Sequence, residues 1–553
     1  MQGTSKLSKV VSSKKTLQHK KPDKPFSWSS FLLHISSIVI VAIVLLPIVY
    51  LFLRATGTGD ENAIDYLTRS RTIDIMFNSL KLVLAVTFSS GAIGIPFAWL
   101  TTRTDLPFRR VWLILGLLAM VIPSYLAAVS YLAVLGPVGY LQDLLDILFG
   151  IKRLPDIRGF FGAWLSITFF TYPYVVLPVR AALLKTDPAL EEAAQSMGLN
   201  RWQVFWRVTF PQLRPAMASG MLLAGMYALS DFGAVAIMRY NAFTRAIFLQ
   251  INGFHMDRAA LLALVLVVFT LLLFSIEWRV NQGQHNYRVG TGARRELKPV
   301  QLGMWKYPAL LFCGILVFVG VVLPVGVMAV WFFNNIGIES PIPIVMTELA
   351  WHTSFASITT AIVVAICALP LALLVIRHNT TLNRWLVGFA YTGNILPGIV
   401  IALALVFFAS NYATPIYQTL PLLILGYATR FLPFSISATR SALTQINPRM
   451  EEAARSLGKN SIQVLFQVII PLAWTGILAG AALVFLSVMK ELPTTLILRP
   501  IGYETFSTRI WQFYSEAFLP LIGLPGIVLK VQTPDFNTRQ TQRTESTLRA
   551  CTA

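Results

Sequence analysis

The feature that most constrains this chain is a series of apolar runs, each long enough to cross a bilayer. A membrane-spanning helix needs about 20 mostly apolar residues. Eleven runs qualify. The first half of the chain carries 31–53, 76–100, 111–136, 159–180, 213–238 and 259–278, and the second carries 307–333, 354–376, 385–409, 417–438 and 472–498. A twelfth, near 513–531, is weak, because the stretch Ala517 to Val531 contains two prolines, two glycines and Lys530. Only 13% of the 553 residues are charged and 55% are apolar. These proportions exclude a disordered chain and a soluble enzyme. Backbone groups in hydrocarbon must be satisfied within the segment, which leaves helices for runs of this length. The expected fold is therefore all-α and polytopic, with about 12 transmembrane helices.

The formal charge of +20 fits the basic loops on the inner side of such proteins better than a nucleic-acid surface. With the N-terminus inside, cytoplasmic segments hold about 31 Lys and Arg and periplasmic ones about 12. The loop 410–416 carries no charge, and 334–352 carries only Glu339 and Glu348; both fall outside in this orientation. The first apolar run is too long for a signal-peptide core and no small-residue cleavage pattern follows it, so it reads as a retained anchor. Seven lysines (Lys6, Lys9, Lys14, Lys15, Lys20, Lys21, Lys24) mark a disordered cytoplasmic tail over 1–30. The remaining divisions are a first repeat at 31–280, a cytoplasmic linker at 281–306, a second repeat at 307–531 and a polar tail at 532–553.

The two halves are copies. TDPALEEAAQSMGLNRWQVFWRVTFP (186–211) aligns without gaps to INPRMEEAARSLGKNSIQVLFQVIIP (446–471), 260 residues later. Arg180 and Arg440 match at that offset, as do Pro173 and Pro433. Upstream, Pro123 matches Pro397 and Arg103 matches Arg377 at an offset of 274. The first half has 14 extra residues around 137–158. Chance similarity of apolar segments fails as an explanation, because the best match lies in polar loops. Six spans per copy is an even number, so both copies face the same way. That gives two parallel six-helix repeats, with any pathway at their interface.

The repeated loop reads as helix, glycine turn, helix. Asp187-Pro188 and Asn447-Pro448 suit an N-cap followed by the first helical position. The acidic pairs Glu191-Glu192 and Glu451-Glu452 sit in the first turns, where the helix dipole favours them. Gly198 and Gly458 fit a helix stop with positive φ. Asn200 and Asn460 can cap a second helix, expected to end before Pro211 and Pro471. An amphipathic helix projecting from a membrane domain can dock in a partner's groove, and the small Ala193, Ala194, Ala453 and Ala454 would permit close approach. An ordinary interfacial loop is the alternative for one copy; two copies at identical spacing favour docking.

The pattern Glu192-Ala193-Ala194, Gly198, Pro211 and its copy Glu452-Ala453-Ala454, Gly458, Pro471 resembles the EAA loop of ABC importer permeases. The resemblance runs from about 31 to 512 and implies the type I importer fold. It also implies that each loop is a coupling helix seated in a cytoplasmic ATP-binding subunit, two copies in all, and that a periplasmic binding protein delivers the substrate. LSDFGAVAIMRYNAFTRAIFLQ (229–250), ILPGIVIALALV (395–406) and KELPTTLILRPIGYETFSTRIWQ (490–512) look like ferric-iron permeases of the fused two-half type. Permeases for thiamine, aminoethylphosphonate, some sugars and polyamines share part of the pattern.

Chemistry of other kinds is scarce. No GxxxxGK[ST] loop occurs, since Gly458-Lys459 has Ala453 where the motif needs glycine. ATP hydrolysis is thus expected on a separate subunit, and no enzymatic acid/base, nucleophile or metal constellation stands out. The six histidines (His19, His34, His255, His285, His352, His378) form no ligand pair at helical spacing, and Cys313, Cys367 and Cys551 show no metal or disulfide spacing. No cofactor is expected. Charges in the spans are costly and usually functional. Asp231 and Glu491 align at an offset of 260 near the ends of spans five and eleven, with Lys490 beside Glu491. They either face the pathway or its outer gate, where they could attract a cation, or only stitch helix ends together or meet the binding protein. Arg430 and Lys81 fit a cavity wall or a snorkelling position. Pro173, Pro178 and Pro433 are expected to interrupt spans four and ten. A gradient-driven secondary transporter would also accommodate twelve spans, but it leaves the duplicated loop without a purpose.

Overall fold

A computed structural model describes residues 28–56, 63–186, 188–282, 299–334, 342–378 and 380–531. The lysine-rich tail up to residue 27, most of the linker, Asp187, Glu339 and the polar tail from residue 532 lie outside these. The described residues are almost wholly helical, with one isolated β-bridge between Thr104 and Val300. Nine helices among them are long and apolar enough to cross a membrane, or ten if the bent pair Thr381–Ile395 and Gly398–Tyr412 counts as one span.

The difference from twelve straight spans has identifiable causes. Span three is broken in both repeats at the same place. Pro123 and Pro397 stand in extended backbone (φ −56°, ψ 143° and φ −57°, ψ 139°) as N-caps of Ser124–Leu135 and Gly398–Tyr412. In the second repeat the two halves of the span meet at 103°. A proline has no N–H and its ring excludes the preceding turn, so the helix restarts at it. Spans five and eleven stop earlier than expected, at Ser230 and Met489, where Asp231 and Lys490 leave the helix. The twelfth span is not a continuous helix: Phe506–Ser515, Leu519–Ile522 and Gly523–Val531 follow one another in short pieces. Its counterpart in the first repeat is one helix, Met256–Gln282.

Other prolines are absorbed rather than obeyed. Helices Phe160–Lys185 and Leu420–Thr444 run straight through Pro173, Pro178 and Pro433, contrary to the expected interruption. Pro211 and Pro471 also fail to end the second loop helix. Each helix instead widens into one π-turn, Phe205–Thr209 and Leu465–Ile469, and continues into the following span. The wider turn relieves the clash between the proline ring and the carbonyl one turn back.

The repeats are interlaced. Helix Trp28–Thr56, the first of repeat one, packs on Ile342–Arg377, Thr381–Ala390 and Gly398–Tyr412 of repeat two. The Tyr50 ring meets Phe408 and Tyr412 edge-on, and Asn411 donates to its hydroxyl at 3.3 Å. Conversely, Leu323–Asn334 of repeat two packs on Ser124–Leu135 of repeat one, and the Tyr131 hydroxyl donates to the Val319 carbonyl at 3.0 Å. Further bonds cross between the halves from Tyr125 to Ser507 (3.0 Å) and from Tyr514 to the Ile237 carbonyl (2.7 Å).

Candidate functional site

The two loop helices are Pro188–Ser196 and Pro448–Ser456. Asn447 accepts from the Arg449 N–H at 3.0 Å, as an N-cap should. Gly198 and Gly458 close the helices at φ +85° and +82°, a region that L side chains rarely enter. The second helix of each loop opens with a reciprocal cap: Asn200 with Gln203, and Asn460 with Gln463, at the same pair of distances, 2.8 and 3.0 Å. The sequence therefore builds one backbone device twice.

Within each helix the residues divide by side. Glu191 and Glu451 turn inward. Glu191 pairs with Arg103, the last residue of helix Ser70–Arg103, and accepts from the Thr209 hydroxyl at 2.9 Å. Glu451 pairs with Arg377, the last residue of Ile342–Arg377. Ala194 and Ala454 are buried against their own repeat, so they offer no surface to a partner and correct the expectation of a four-alanine docking face. Glu192, Ala193, Gly198, Glu452, Ala453 and Gly458 are exposed, with Leu190, Met197, Met450 and Leu457 beside them. Each short helix is thus bolted by its first glutamate to the end of a long helix and presents its outer edge. The arginines carried a signal in the sequence: matched basic and acidic positions recur in both repeats, but spacing alone does not reveal that they touch.

The helices after the two loops differ. In repeat one Trp202 stacks on Phe205, Phe205 meets Trp206 edge-on, and Trp206 and Phe210 lie tilted with centroids 4.7 Å apart. Repeat two has Ile462, Leu465, Phe466 and Ile470 there.

Asp231 and Glu491 are both buried and both bridge from the end of one helix to the start of the next. Asp231 accepts from the Ser124 hydroxyl and, at 3.0 Å, from the Ala234 N–H of helix Gly233–Ile237. Glu491 accepts from Arg430 Nη1 at 2.6 Å and from the Thr494 hydroxyl at 2.7 Å, at the start of Pro493–Leu498. They are helix-end stitches, and they lie where the halves meet. Gly398 makes the second arrangement possible: a Cβ there would stand 1.8 Å from Arg430 Nη1 and 2.6 Å from Glu491 Oε1. Lys490 Nζ lies 5.7 Å from the ring centre of Phe170 in the other repeat. Lys81 is exposed and lies 4.4 Å from the Phe160 ring centre. Among the described residues no group of three His, Cys, Asp or Glu side chains could hold a metal ion.

A duplicated, interlaced helical membrane protein with a bolted helix projecting from each copy has the build of a fused pair of transport permeases. The chain belongs to the family of binding-protein-dependent transport system inner membrane components, the permeases of ABC importers, whose model matches it twice, over residues 90–283 and 357–531. It is 30% identical to the Fe(3+)-transport system permease protein FbpB 2 of Haemophilus influenzae, across 90% of this chain and 94% of that protein. It is 24% identical to the ferric transport system permease protein FbpB of Actinobacillus pleuropneumoniae, across 83% of this chain and 70% of that one. The sulfate transport system permease protein CysW of Escherichia coli is 28% identical, but matches only 46% of this chain, with 91% of its own length covered.

Proposed function

We propose that this chain carries ferric iron across the inner membrane, receiving it from a periplasmic binding protein and drawing energy from a separate cytoplasmic ATPase with two copies of its nucleotide-binding subunit. The observation that supports this cargo is the likeness to a ferric-iron permease along nearly the whole of both chains. The excess of basic residues in the loops supports an orientation with the N-terminus and both loop helices in the cytoplasm.

In this reading Pro188–Ser196 and Pro448–Ser456 are the coupling helices. Their exposed edges, with Glu192, Ala193, Glu452 and Ala453, enter the grooves of the ATPase. Glu191 and Glu451 pass the movement through Arg103 and Arg377 to the long helices that end there. Closure of the ATPase on ATP rocks the halves so that the cavity opens outward; hydrolysis returns them. The positive φ at Gly198 and Gly458 sets the angle between the docking helix and the helix that continues into the membrane.

The test is uptake of radioactive ferric iron under iron limitation, in cells deleted for this chain and complemented with the native chain or with the Gly198→Val, Gly458→Val double variant. Restoration by the native chain alone, with both proteins inserted equally, is the expected result. If deletion leaves uptake unchanged in a strain with no second iron importer, the cargo is wrong. Sulfate uptake would then be measured, because sulfate permeases also match just under half of the chain. Co-purification of an ATPase with the native chain separates this reading from a gradient-driven carrier.

A further inference from the structure

The ends of the two repeats away from the loop helices differ in how they hold arginine. Each repeat leaves its fifth span through a short helix, Gly233–Ile237 or Pro493–Leu498, then a loop and a second short helix, Phe243–Asn252 or Phe506–Ser515. Both loops sit at the same height. The Tyr240 hydroxyl donates to the Asn78 carbonyl at 3.0 Å and the Tyr503 hydroxyl to the His352 carbonyl at 2.6 Å. Asn78 and His352 each precede the arginine bolt of their helix by 25 residues, which is about 37 Å along a helix. The two ends meet at a seam, where the Tyr514 hydroxyl donates to the Ile237 carbonyl at 2.7 Å and the Trp511 ring lies 5.2 Å from Phe232.

In repeat two a carboxylate stands between two arginines. Glu504 has Arg509 at 3.1 Å and Arg499 at 3.8 Å, and Gln512 links Arg509 onward to Glu516. Repeat one has Arg239 at the place of Arg499, but its loop to the next helix is three residues shorter, and Glu504 lies in the part that is missing. Arg239 is exposed and Arg245 half-buried. Among the described residues neither has an acidic side chain within ion-pair distance; Arg245 donates only to the neutral Asn241 carboxamide. Burial and, after it, the like charge of Arg239 push the Arg245 guanidinium below its usual pKa, as expected of neighbouring cations without a counter-ion.

The backbone shows that Arg239 is held in place at a cost. It has φ +52°. Its N–H donates to the Ala236 carbonyl at 3.1 Å, and the Tyr240 N–H donates to the Val235 carbonyl at 3.0 Å. This pair of bonds closes a helix around a left-handed residue. Gly198 and Leu199 make the same pair to Gln195 and Ala194. Glycine adopts that conformation freely and arginine does not. Arg499 escapes the strain, being extended at φ −61° and ψ 141°. Repeat one thus carries a strained residue whose side chain serves no contact of its own.

We propose that Arg239 and Arg245 form a docking point for a carboxylate on the periplasmic binding protein, and that repeat two, with Glu504 between its arginines, is the weaker site. This rests on the reading above of an importer fed from the periplasm. Guanidinium groups bind a carboxylate with two parallel hydrogen bonds, so the pair fits an acidic surface residue. A platform built of two near-copies would accept a two-lobed protein either way round. Unequal charge at the two ends removes that ambiguity: the acidic lobe settles on repeat one.

The native transporter with its ATPase subunits, reconstituted in phosphatidylcholine vesicles with and without phosphatidylglycerol, provides the test. Stimulated ATP hydrolysis is titrated with ferric-loaded binding protein. The Arg239→Glu, Arg245→Glu double variant is expected to need about tenfold or more binding protein for half-saturation, a far larger change than in the rate at saturation. Added salt should weaken docking of the native chain more than that of the double variant. Arg239→Gly is expected to raise the half-saturating concentration severalfold while raising the melting temperature, because the strain is relieved. Native half-saturation in the double variant would overturn the proposal. So would an Arg239→Gly variant that melts lower and docks as the native chain does, which would leave Arg239 a helix cap only. An effect confined to vesicles with phosphatidylglycerol would assign the arginines to lipid headgroups and overturn it too. If the double variant fails to accumulate, Arg239→Gly decides. A native transporter that ignores ferric-loaded binding protein refutes the iron reading instead; sulfate-loaded binding protein then enters the same titration, and the arginines are judged on it.

Discussion

The two repeats agree where their backbone turns and disagree where their side chains meet. At the loops, glycine φ values, asparagine caps, π-turns and the arginine–glutamate bolts coincide position by position. At the interface, Ser124 faces Gly398, Phe170 faces Arg430 and Ser230 faces Lys490 in the alignment of the copies. A duplicated chain keeps a feature twice when each copy performs it alone. It diverges where one copy forms the partner of the other, because the two sides of a contact need to be complementary, not identical. Even the bolts are not equal, since Thr209 supports Glu191 while Ile469 stands at the matching place beside Glu451.

The sharpest way to break this comparison is to move a residue of one repeat into the other. Gly398→Ser places a Cβ 1.8 Å from Arg430 Nη1 and 2.6 Å from Glu491 Oε1, so the guanidinium and the carboxylate have to shift, and the expectation is that their pairing is lost. Separating a buried pair costs about 3–5 kcal/mol, and a drop in melting temperature of the purified protein, larger than for Ser124→Gly, is expected. Equal melting of the two would show that the interface tolerates symmetry. Next in size, Arg377→Leu leaves Glu451 buried without its ion-pair partner, whereas Arg103→Leu leaves Glu191 with Thr209. Thermal unfolding of the purified proteins should rank Arg377→Leu as the more damaging, by about 1–2 kcal/mol, and the opposite order would discredit the role given to Thr209. Gly198→Val and Gly458→Val should then behave alike. Each forces a branched side chain into left-handed backbone at about 1–2 kcal/mol, lowering transport more than the amount of inserted protein; unequal effects would mean that the two loops do unequal work. Smallest is Tyr50→Phe, which deletes the 3.3 Å bond from Asn411 and should cost about 0.5–1 kcal/mol in thermal unfolding, with transport unchanged.

Much of this was legible in the sequence. Gly198, Gly458, Asn460 and Pro448 announce their conformations because local sterics decide them, and the gapless match over 186–211 and 446–471 exposes the duplication. Pro123 and Pro397 were seen as a matched pair, and the break they cause follows from ring geometry. Pro173 and Pro433 show the limit of that rule: the helices continue through them without a break. The burial of Ala194 and Ala454 was not legible, because helical phase relative to the rest of the protein depends on where Arg103 and Arg377 end. Nor was the role of Gly398, which becomes visible only when a guanidinium occupies the space that a side chain would fill.

The interlacing of the first helices has a consequence for how the molecule is made. Trp28–Thr56 precedes them all in the chain, but apart from Met256–Gln282 of its own repeat the helices it packs on begin at Ile342. At about 5–20 residues per second, its final neighbours follow on the order of tens of seconds later. Throughout that interval the face destined for the second repeat rests against lipid or a helper protein. The earliest helix is thus among the last to settle, and the halves close around each other as a clasp, not as two finished blocks brought together.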